Sequence, residues 1–264
     1  MDFVSQCQGP GGHTARPRTA SQVLCTTLLL TLAAFAAQAQ TDLPLLSAFS
    51  TTQGEQPPAP WRVVGIPGGK IALSTFTMVA IDGVPVLKLE ANKAYGNLVH
   101  ALPPEAVSAR PRLKWHWRLD APVAGADLRT RKGDDSALKV CLLFDLPLDK
   151  LGLVERNLLR LARAVSAEPL PSATLCYVWD TTLASGTLLR NAYIARVRLI
   201  VAAGAGQPLA QWQTQSRDVA ADFQRAFGDE SDSLPPLSAV LVGADSDNTG
   251  GHSVGFIGDV VLTP

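Results

Sequence analysis

Val240-Leu-Val-Gly-Ala-Asp245-Ser-Asp247-Asn248-Thr249-Gly250-Gly251-His252, continuing Ser253-Val-Gly-Phe-Ile-Gly-Asp259-Val-Val-Leu262, is the stretch on which the reading of the fold turns. An apolar run enters a tight acidic turn and an alternating run leaves it. That is the pattern of a β-hairpin or a strand–loop–strand unit with carboxylates gathered at its tip. The same grammar recurs upstream. Leu113-Lys-Trp115-His116-Trp117-Arg118-Leu119 alternates strictly, with the apolar members on one face and Lys114, His116 and Arg118 on the other. Thr75-Phe-Thr-Met-Val79 precedes the turn signal Asp82-Gly83, and Val84 to Glu90 follows it. Asn97 to Ala101, Ala137 to Phe144 and Ala173 to Trp179 are further β-type runs. Ala192 to Val201 reads as a long strand with Tyr193, Ala195, Val197, Leu199 and Val201 on one face and Arg196 and Arg198 opposite. Short strands broken by Gly, Pro, Asn and Asp, with no regular strand–helix alternation, predict a mainly β protein built as an antiparallel β-sandwich.

Two segments carry helical spacing, so one or two peripheral α-helices are expected. In Leu148 to Val165 the apolar residues Leu151, Val154, Leu158, Leu161 and Val165 recur near every third or fourth place, with Arg156, Arg160 and Arg163 on the polar side. Asp218 can cap a second helix that runs through Phe227 and stops at Gly228, with Phe223 and Phe227 one turn apart.

The 264 residues suit one large domain, because β-sandwiches run past ~200 residues as single units. Residues 61–264 are assigned to that domain and residues 40–60, ending Gln56-Pro-Pro-Ala-Pro60, to a Pro-rich lead-in. Residues 1–39 read as a secretory signal peptide. Arg16 and Arg18 supply the positive region, Val23 to Ala37 is apolar or small, and Ala37-Gln-Ala39 is a cleavage site. The apolar run is shorter than the ~20 residues that span a bilayer, so the product is expected to be periplasmic or secreted, and not an integral membrane protein after cleavage. Leu24 before Cys25 is not the small residue a lipidated cysteine needs. A balanced charge, 23 basic against 23 acidic residues, excludes a whole-domain field for nucleic acid. Cleavage leaves Cys141 and Cys176, each inside an apolar run. They either bridge, if their strands pair, or stay as two buried thiols.

Taken together, Thr75-Phe-Thr-Met-Val79, Leu113-Lys-Trp-His-Trp117, Lys132-Gly-Asp-Asp135, Tyr177-Val-Trp179, Arg217-Asp218 with Asp222 and Phe227-Gly228, Asp245-Ser-Asp-Asn-Thr249 and Gly258-Asp259 resemble the bacterial family known as domain of unknown function 3047. The resemblance spans nearly all of the chain after the lead-in. It implies export and a jelly-roll-like sandwich similar to carbohydrate-binding modules, and it implies no established activity. Two departures stand out. Tyr95-Gly-Asn-Leu98 replaces a serine-rich turn, and Gly255-Phe256 replaces an aromatic pair.

Three constellations carry candidate chemistry. Asp245 and Asp247, helped by Asn248 and Thr249, are candidate ligands for Ca²⁺, a hard cation that takes oxygen donors. The EF-hand spacing does not fit, because the twelfth position from Asp245 is Phe256. The competing reading is an Asx-type turn without an ion. Asp134 and Asp135 join this site only if their loop lies at the same end of the sandwich. A carboxylate pair there is a candidate acid and base on a glycosidic bond, against the plainer reading of turn caps and ion pairs with Arg131 or Arg217. Lys114, His116, Arg118, Arg196, Arg198 and Lys139 either form a basic stripe or are scattered outward-facing residues. Among the tryptophans, Trp115 and Trp117 belong to the core, while Trp61 and Trp212 are the candidates for sugar stacking. His252 is the histidine nearest the acidic tip. No G-x-S-x-G, H-E-x-x-H or P-loop occurs, and no residue is assigned a catalytic role. The expectation is a non-catalytic domain that binds a saccharide or a cell-envelope component, with a polysaccharide-acting enzyme and a purely structural envelope protein as the alternatives.

Overall fold

The computed structural model describes residues 44–66, 68–103, 110–166 and 168–263. Residues 1–39, read above as a signal peptide, and residues 40–43 of the lead-in lie outside the described residues. In chain order the strands are β1 (Arg62–Val64), β2 (Ala72–Leu73), β3 (Thr75–Ile81), β4 (Val84–Asn92), β5 (Ala94–Ala101), β6 (Arg112–Ala121) and β7 (Lys139–Phe144). A short 3-10 turn (Leu148–Lys150) and α1 (Leu153–Val165) follow, then β8 (Ala173–Trp179), β9 (Leu188–Arg190), β10 (Val197–Ala203) and β11 (Gln213–Asp218). The chain ends with α2 (Val219–Phe227), β12 (Leu237–Asp245), β13 (His252–Ile257) and β14 (Val261–Thr263).

Two sheets face each other. The first has the spatial order β1-β5-β12-β7-β8-β10-β9, with β2 also on β5. The second has the order β11-β6-β13-β4-β3, with β14 on β6. Pairing is antiparallel apart from β10 on β8 and β2 on β5. The stretch quoted first is therefore not a hairpin. β12 lies in the first sheet and β13 in the second, so the acidic turn crosses between sheets at one end of the sandwich. The Gly251 N–H closes that loop by donating to Ser246 O at 3.0 Å.

Alternation fills the space between the sheets. Leu113, Trp115, Trp117 and Leu119 of β6 turn inward against Leu175, Tyr177 and Trp179 of β8. Trp115 packs 5.2 Å from Tyr177, and Trp117 packs 5.6 Å from Trp179, centroid to centroid. The buried Tyr177 hydroxyl donates to Asp222 at 2.9 Å, and Arg217 clasps the same carboxylate with two bonds of 2.8 Å. Burial first, then the Asp222 charge, pushes the Tyr177 hydroxyl well above its ordinary value. Tyr177, Arg217 and Asp222 thus form one buried polar knot.

α2 forms as its sequence predicts. The Asp218 carboxylate accepts from Ala221 N at 3.0 Å, and Phe223 and Phe227 stack 5.1 Å apart in the core. The lead-in is irregular but packed. Leu46 and Phe49 are buried, Trp61 Nε1 donates to Ser47 O, and Ser50 donates from N and Oγ to the two oxygens of Asp259. Pro44–Pro264 is one compact unit that holds the whole hydrophobic core. Cys141 and Cys176 stand directly opposite each other on β7 and β8 and are joined as a disulfide, with Cα atoms 4.0 Å apart.

Three expectations change. The long strand over Ala192 to Val201 starts only at Val197, because the Asn191 side chain accepts from Tyr193 N and Ile194 N and holds the preceding residues in a turn. The helical run from Leu148 breaks at Leu151-Gly152, and α1 begins at Leu153. The basic stripe does not assemble. Lys114, His116 and Arg118 lie in the second sheet, whereas Lys139 and Arg198 lie in the first and Arg196 just precedes its strand β10.

Candidate functional site

β12 alternates Val240, Val242 and Ala244 into the core, which leaves Gly243 and Asp245 on the opposite face of the first sheet. Gly243 sits in register between Asn97 of β5 and Lys139 of β7. A Cβ there would collide with Asn97 Oδ1 and come 2.7 Å from Lys139 Cε. The missing side chain is what lets Lys139 lie along the sheet. Its Nζ donates to Asp245 Oδ1 at 3.0 Å and rests 4.8 Å from the ring centroid of Tyr95, the register partner of Asp245.

The loop bearing Lys132-Gly-Asp-Asp135 comes to the same end. It is pinned at Gly133, where a Cβ would lie 2.6 Å from Asp127 N and where Asp127 N donates to Gly133 O at 2.8 Å. Asp135 then accepts from Asn248 N at 3.1 Å and Thr249 N at 2.7 Å. Asn248 Nδ2 donates to Asp134 O at 3.1 Å, and Ser136 N donates to Asp245 Oδ1 at 3.0 Å. Asp134 itself accepts from Asn191 Nδ2 at 2.9 and 2.7 Å. At the rim stands the exposed Tyr193, its hydroxyl 2.9 Å from both Arg131 O and Asn248 Oδ1, with the Arg131 guanidinium 5.3 Å over its ring.

Six of the residues singled out in the sequence, Asp134, Asp135, Asp245, Asp247, Asn248 and Thr249, therefore meet. Trp212 does not join them. It just precedes β11 of the second sheet, with its ring 4.9 Å from that of His116. Trp61 is buried against Phe49, and His252 bonds to Glu90 at 2.9 Å on the second sheet, apart from the acidic cluster. Asn191, Tyr193 and the site role of Lys139 were not read from the sequence, whereas Tyr95 was marked there only as a departure from the family resembled. Only Asn191 carried a local signal, as an Asn able to close a turn ahead of a strand.

Carboxylate oxygens of Asp135, Asp245 and Asp247 all lie within 4.8 Å of one another. Oxygens bound to one Ca²⁺ at about 2.4 Å can be no farther apart than roughly that distance, so the set fits a hard cation. Asp247 Oδ1 and Thr249 Oγ1 are buried and have no hydrogen-bond partner. Three carboxylates face the single ammonium of Lys139 and Asp134 adds a fourth close by, so the cluster carries an excess of negative charge, which suits a cation. The electrostatics agree. Burial pushes Asp245 up to about 6 against the pull of Lys139, with Asp135 adding to the rise. Burial and then the Asp135 charge raise Asp247. Burial raises Asp134 as well, partly offset by Asn191 and Lys139. Burial alone would lower Lys139, but Asp245 and Tyr95 outweigh it and hold its ammonium above the ordinary value.

A glycosidic acid–base pair formed by Asp135 and Asp245 fits poorly. Asp135 and Asp245 are 2% and 7% exposed, and both are occupied by backbone donors, so neither can reach a sugar oxygen.

No curated protein matches the chain in sequence. Among solved structures, a family 11 carbohydrate-binding module from Clostridium thermocellum, in complex with a mixed-linked tetrasaccharide, shares 8% identity over 83% of this chain and 94% of its own, at a TM-score of 0.41. A family 11 xylanase from Neocallimastix patriciarum shares 10% identity over 82% and 98%, at 0.39. The K1 cleaved adhesin domain of Lys-gingipain from Porphyromonas gingivalis shares 9% over 82% and 95%, at 0.35. Likeness at this level brings neither a ligand nor a reaction to this chain. The sequence itself places it: residues 59–261 match the family described as protein of unknown function DUF3047, and the chain belongs to that family.

Proposed function

We propose that the protein is an exported, non-catalytic β-sandwich whose acidic end holds Ca²⁺ and presents a saccharide-binding surface. The observation that carries the reading is the pair of buried, unpartnered oxygens, Asp247 Oδ1 and Thr249 Oγ1, beside the clustered carboxylates of Asp135 and Asp245. A buried polar atom without a partner costs ~1–3 kcal/mol, a cost that ligation of an ion removes. The ion stiffens the turn 246–251 and the Lys132–Asp135 loop, and through Asn248 it fixes the hydroxyl of Tyr193.

Tyr193 supplies an exposed aromatic face beside Arg131 and Asn191, the combination of stacking surface and polar groups that recognises a sugar ring. Export is supported by the N-terminal apolar segment with its Ala37-Gln-Ala39 site and by the disulfide, which persists in oxidising compartments.

Residues 44–264 would be screened on plant and bacterial envelope glycans with Ca²⁺ present and again in EDTA. Binding that needs the ion and is lost in Tyr193→Ala supports the proposal. Glycan binding indifferent to both chelation and Tyr193→Ala removes it. The purely structural alternative predicts no glycan binding at all.

A further inference from the structure

α1 is built inside out. Its apolar residues Leu153, Val154, Leu158, Leu161 and Val165 are 62–80% exposed, and none of its residues is buried. Spacing puts Val154, Leu158, Leu161 and Val165 in one stripe along the helix. Arg156 and Arg163 face the protein instead. Arg156 Nη2 donates to Asp149 O at 3.1 Å and Leu151 O at 3.0 Å. Arg163 donates from Nε to Leu170 O at 2.8 Å and from Nη2 to Asp145 at 3.0 Å. Of the apolar side chains of α1, only Leu159 packs against the core. These polar bonds hold the helix so that its apolar stripe points to solvent, and no described residue covers it.

We propose that this stripe lies on the surface of an anionic phospholipid bilayer and makes the protein a peripheral membrane protein. Three observations choose that occupant. The first is charge. Glu155 is the only acid of α1 against Arg156, Arg160 and Arg163. The exposed heads of Arg160 and of Lys150, in the turn just before it, have no ion-pair partner among the described residues. An apolar stripe carried on a net-basic helix is what binds an interface of acyl chains under negative headgroups. The second is size. Five side chains on one short helix are far fewer than the ~20–30 residues a side of a stable protein–protein interface, which argues against a second copy of this chain. The third is reach. No described helix is long and apolar enough to cross a membrane, so the contact is superficial.

The placement has a consequence for the acidic end. α1 sits in the connection between Phe144 of β7 and Ala173 of β8, and Phe144 pairs with Leu237, the first residue of β12. Asp245 is the last residue of β12, about 27 Å away at ~3.3 Å per strand residue. A bilayer under α1 therefore lies at the end of the first sheet opposite Asp245. The inference does not depend on the acidic end binding anything.

The test is flotation of residues 44–264 with vesicles of phosphatidylcholine alone and of phosphatidylcholine with about one-third phosphatidylglycerol. Wild type is expected to float with the anionic vesicles, at least about tenfold more than with the neutral ones. Leu158→Glu/Leu161→Glu should abolish flotation while leaving the melting temperature and mass in solution unchanged, because both side chains are exposed. Arg160→Glu should weaken binding to anionic vesicles alone. No flotation of wild type overturns the proposal, as does unchanged flotation of the double variant. A dimer that dissociates in the double variant overturns it in favour of a self-interface.

Discussion

Asp247→Asn separates an ion site from an acidic turn. Without metal, Asp247 Oδ1 accepts no hydrogen bond, and burial and the Asp135 charge already work against its ionised form. Replacing it with Asn therefore removes repulsion and breaks no bond at that atom, so the variant in EDTA should melt at or slightly above the wild-type temperature. With Ca²⁺ the order reverses. Sites in extracellular modules bind at about 0.1–1 mM, so ~10 mM Ca²⁺ can exceed Kd about a hundredfold. A ligand that binds only the folded state then adds about 2.7 kcal/mol. For a domain of this size that is a rise of about 5–10 °C. Loss of one ligand charge that weakens the site ten- to hundredfold leaves about 0.4–1.4 kcal/mol, or about 1–5 °C. Differential scanning fluorimetry of both proteins in EDTA, Ca²⁺ and Mg²⁺ reads this directly. Mg²⁺, which demands a tighter octahedron, should shift the midpoint less. A wild-type midpoint unmoved by millimolar Ca²⁺, or an Asp247→Asn shift equal to wild type, refutes the reasoning.

Other outcomes follow from the same geometry. Asp245 titrates near 6 in the fold against an ordinary 3.8, so the folded state binds its proton more tightly. That contribution is fully present below pH ~3.8 and lost as pH rises through ~6, with a size of about 3 kcal/mol. Urea titrations in EDTA should show the Asp245 contribution to stability declining over this window, and Asp245→Asn, which lacks the titration, should flatten the profile; an unchanged profile would falsify the assignment. Reducing Cys141–Cys176, which closes 35 residues, should cost about 3–4 kcal/mol in urea denaturation with and without reductant. Gly243→Ala forces a methyl against Asn97 and Lys139 and should cost about 1–3 kcal/mol by the same assay, whereas Tyr193→Ala at the exposed rim should cost under about 1 kcal/mol.

Strand periodicity was legible in β6, where one face is buried and the other open, whereas β8 and β12 are buried on both faces and read as apolar runs. Trp115 and Trp117 could be assigned to the core from spacing alone. The α2 cap was legible because Asp218, Phe223 and Phe227 act within two helical turns. The reach of β10 was not, because the alternation of Tyr193 and Ala195 continues past the point where the Asn191 side chain takes the backbone N–H groups. The orientation of α1 was not legible for a different reason. Periodicity reports that apolar and basic residues occupy opposite faces, but not which face meets the protein, and here the Arg156 and Arg163 bonds to loop carbonyls decide it. The acidic residues were legible as a set of types, while their convergence rests on two loops more than a hundred residues apart joined by Asp135 and the Asn248 and Thr249 amides.

The two departures from the family pattern fall in unequal places. Tyr95 is the register partner of Asp245, carries the Lys139 ammonium on its ring, and accepts from Asn97 Nδ2 at 2.9 Å. A serine there could offer a hydroxyl but not the aromatic face, so Lys139 would be freer to leave Asp245 and the cluster would be more negative. Phe256 lies on the other sheet, under Arg118 at 5.7 Å, and Gly255 beside it accommodates Leu138, whose side chain would meet any Cβ. That change repacks the sheet without touching an acidic residue. Tyr95 therefore helps set the electrostatics of the acidic end. Tyr95→Ser should raise Ca²⁺ affinity by loosening Lys139 from Asp245, while substitutions at Phe256 should leave it unchanged.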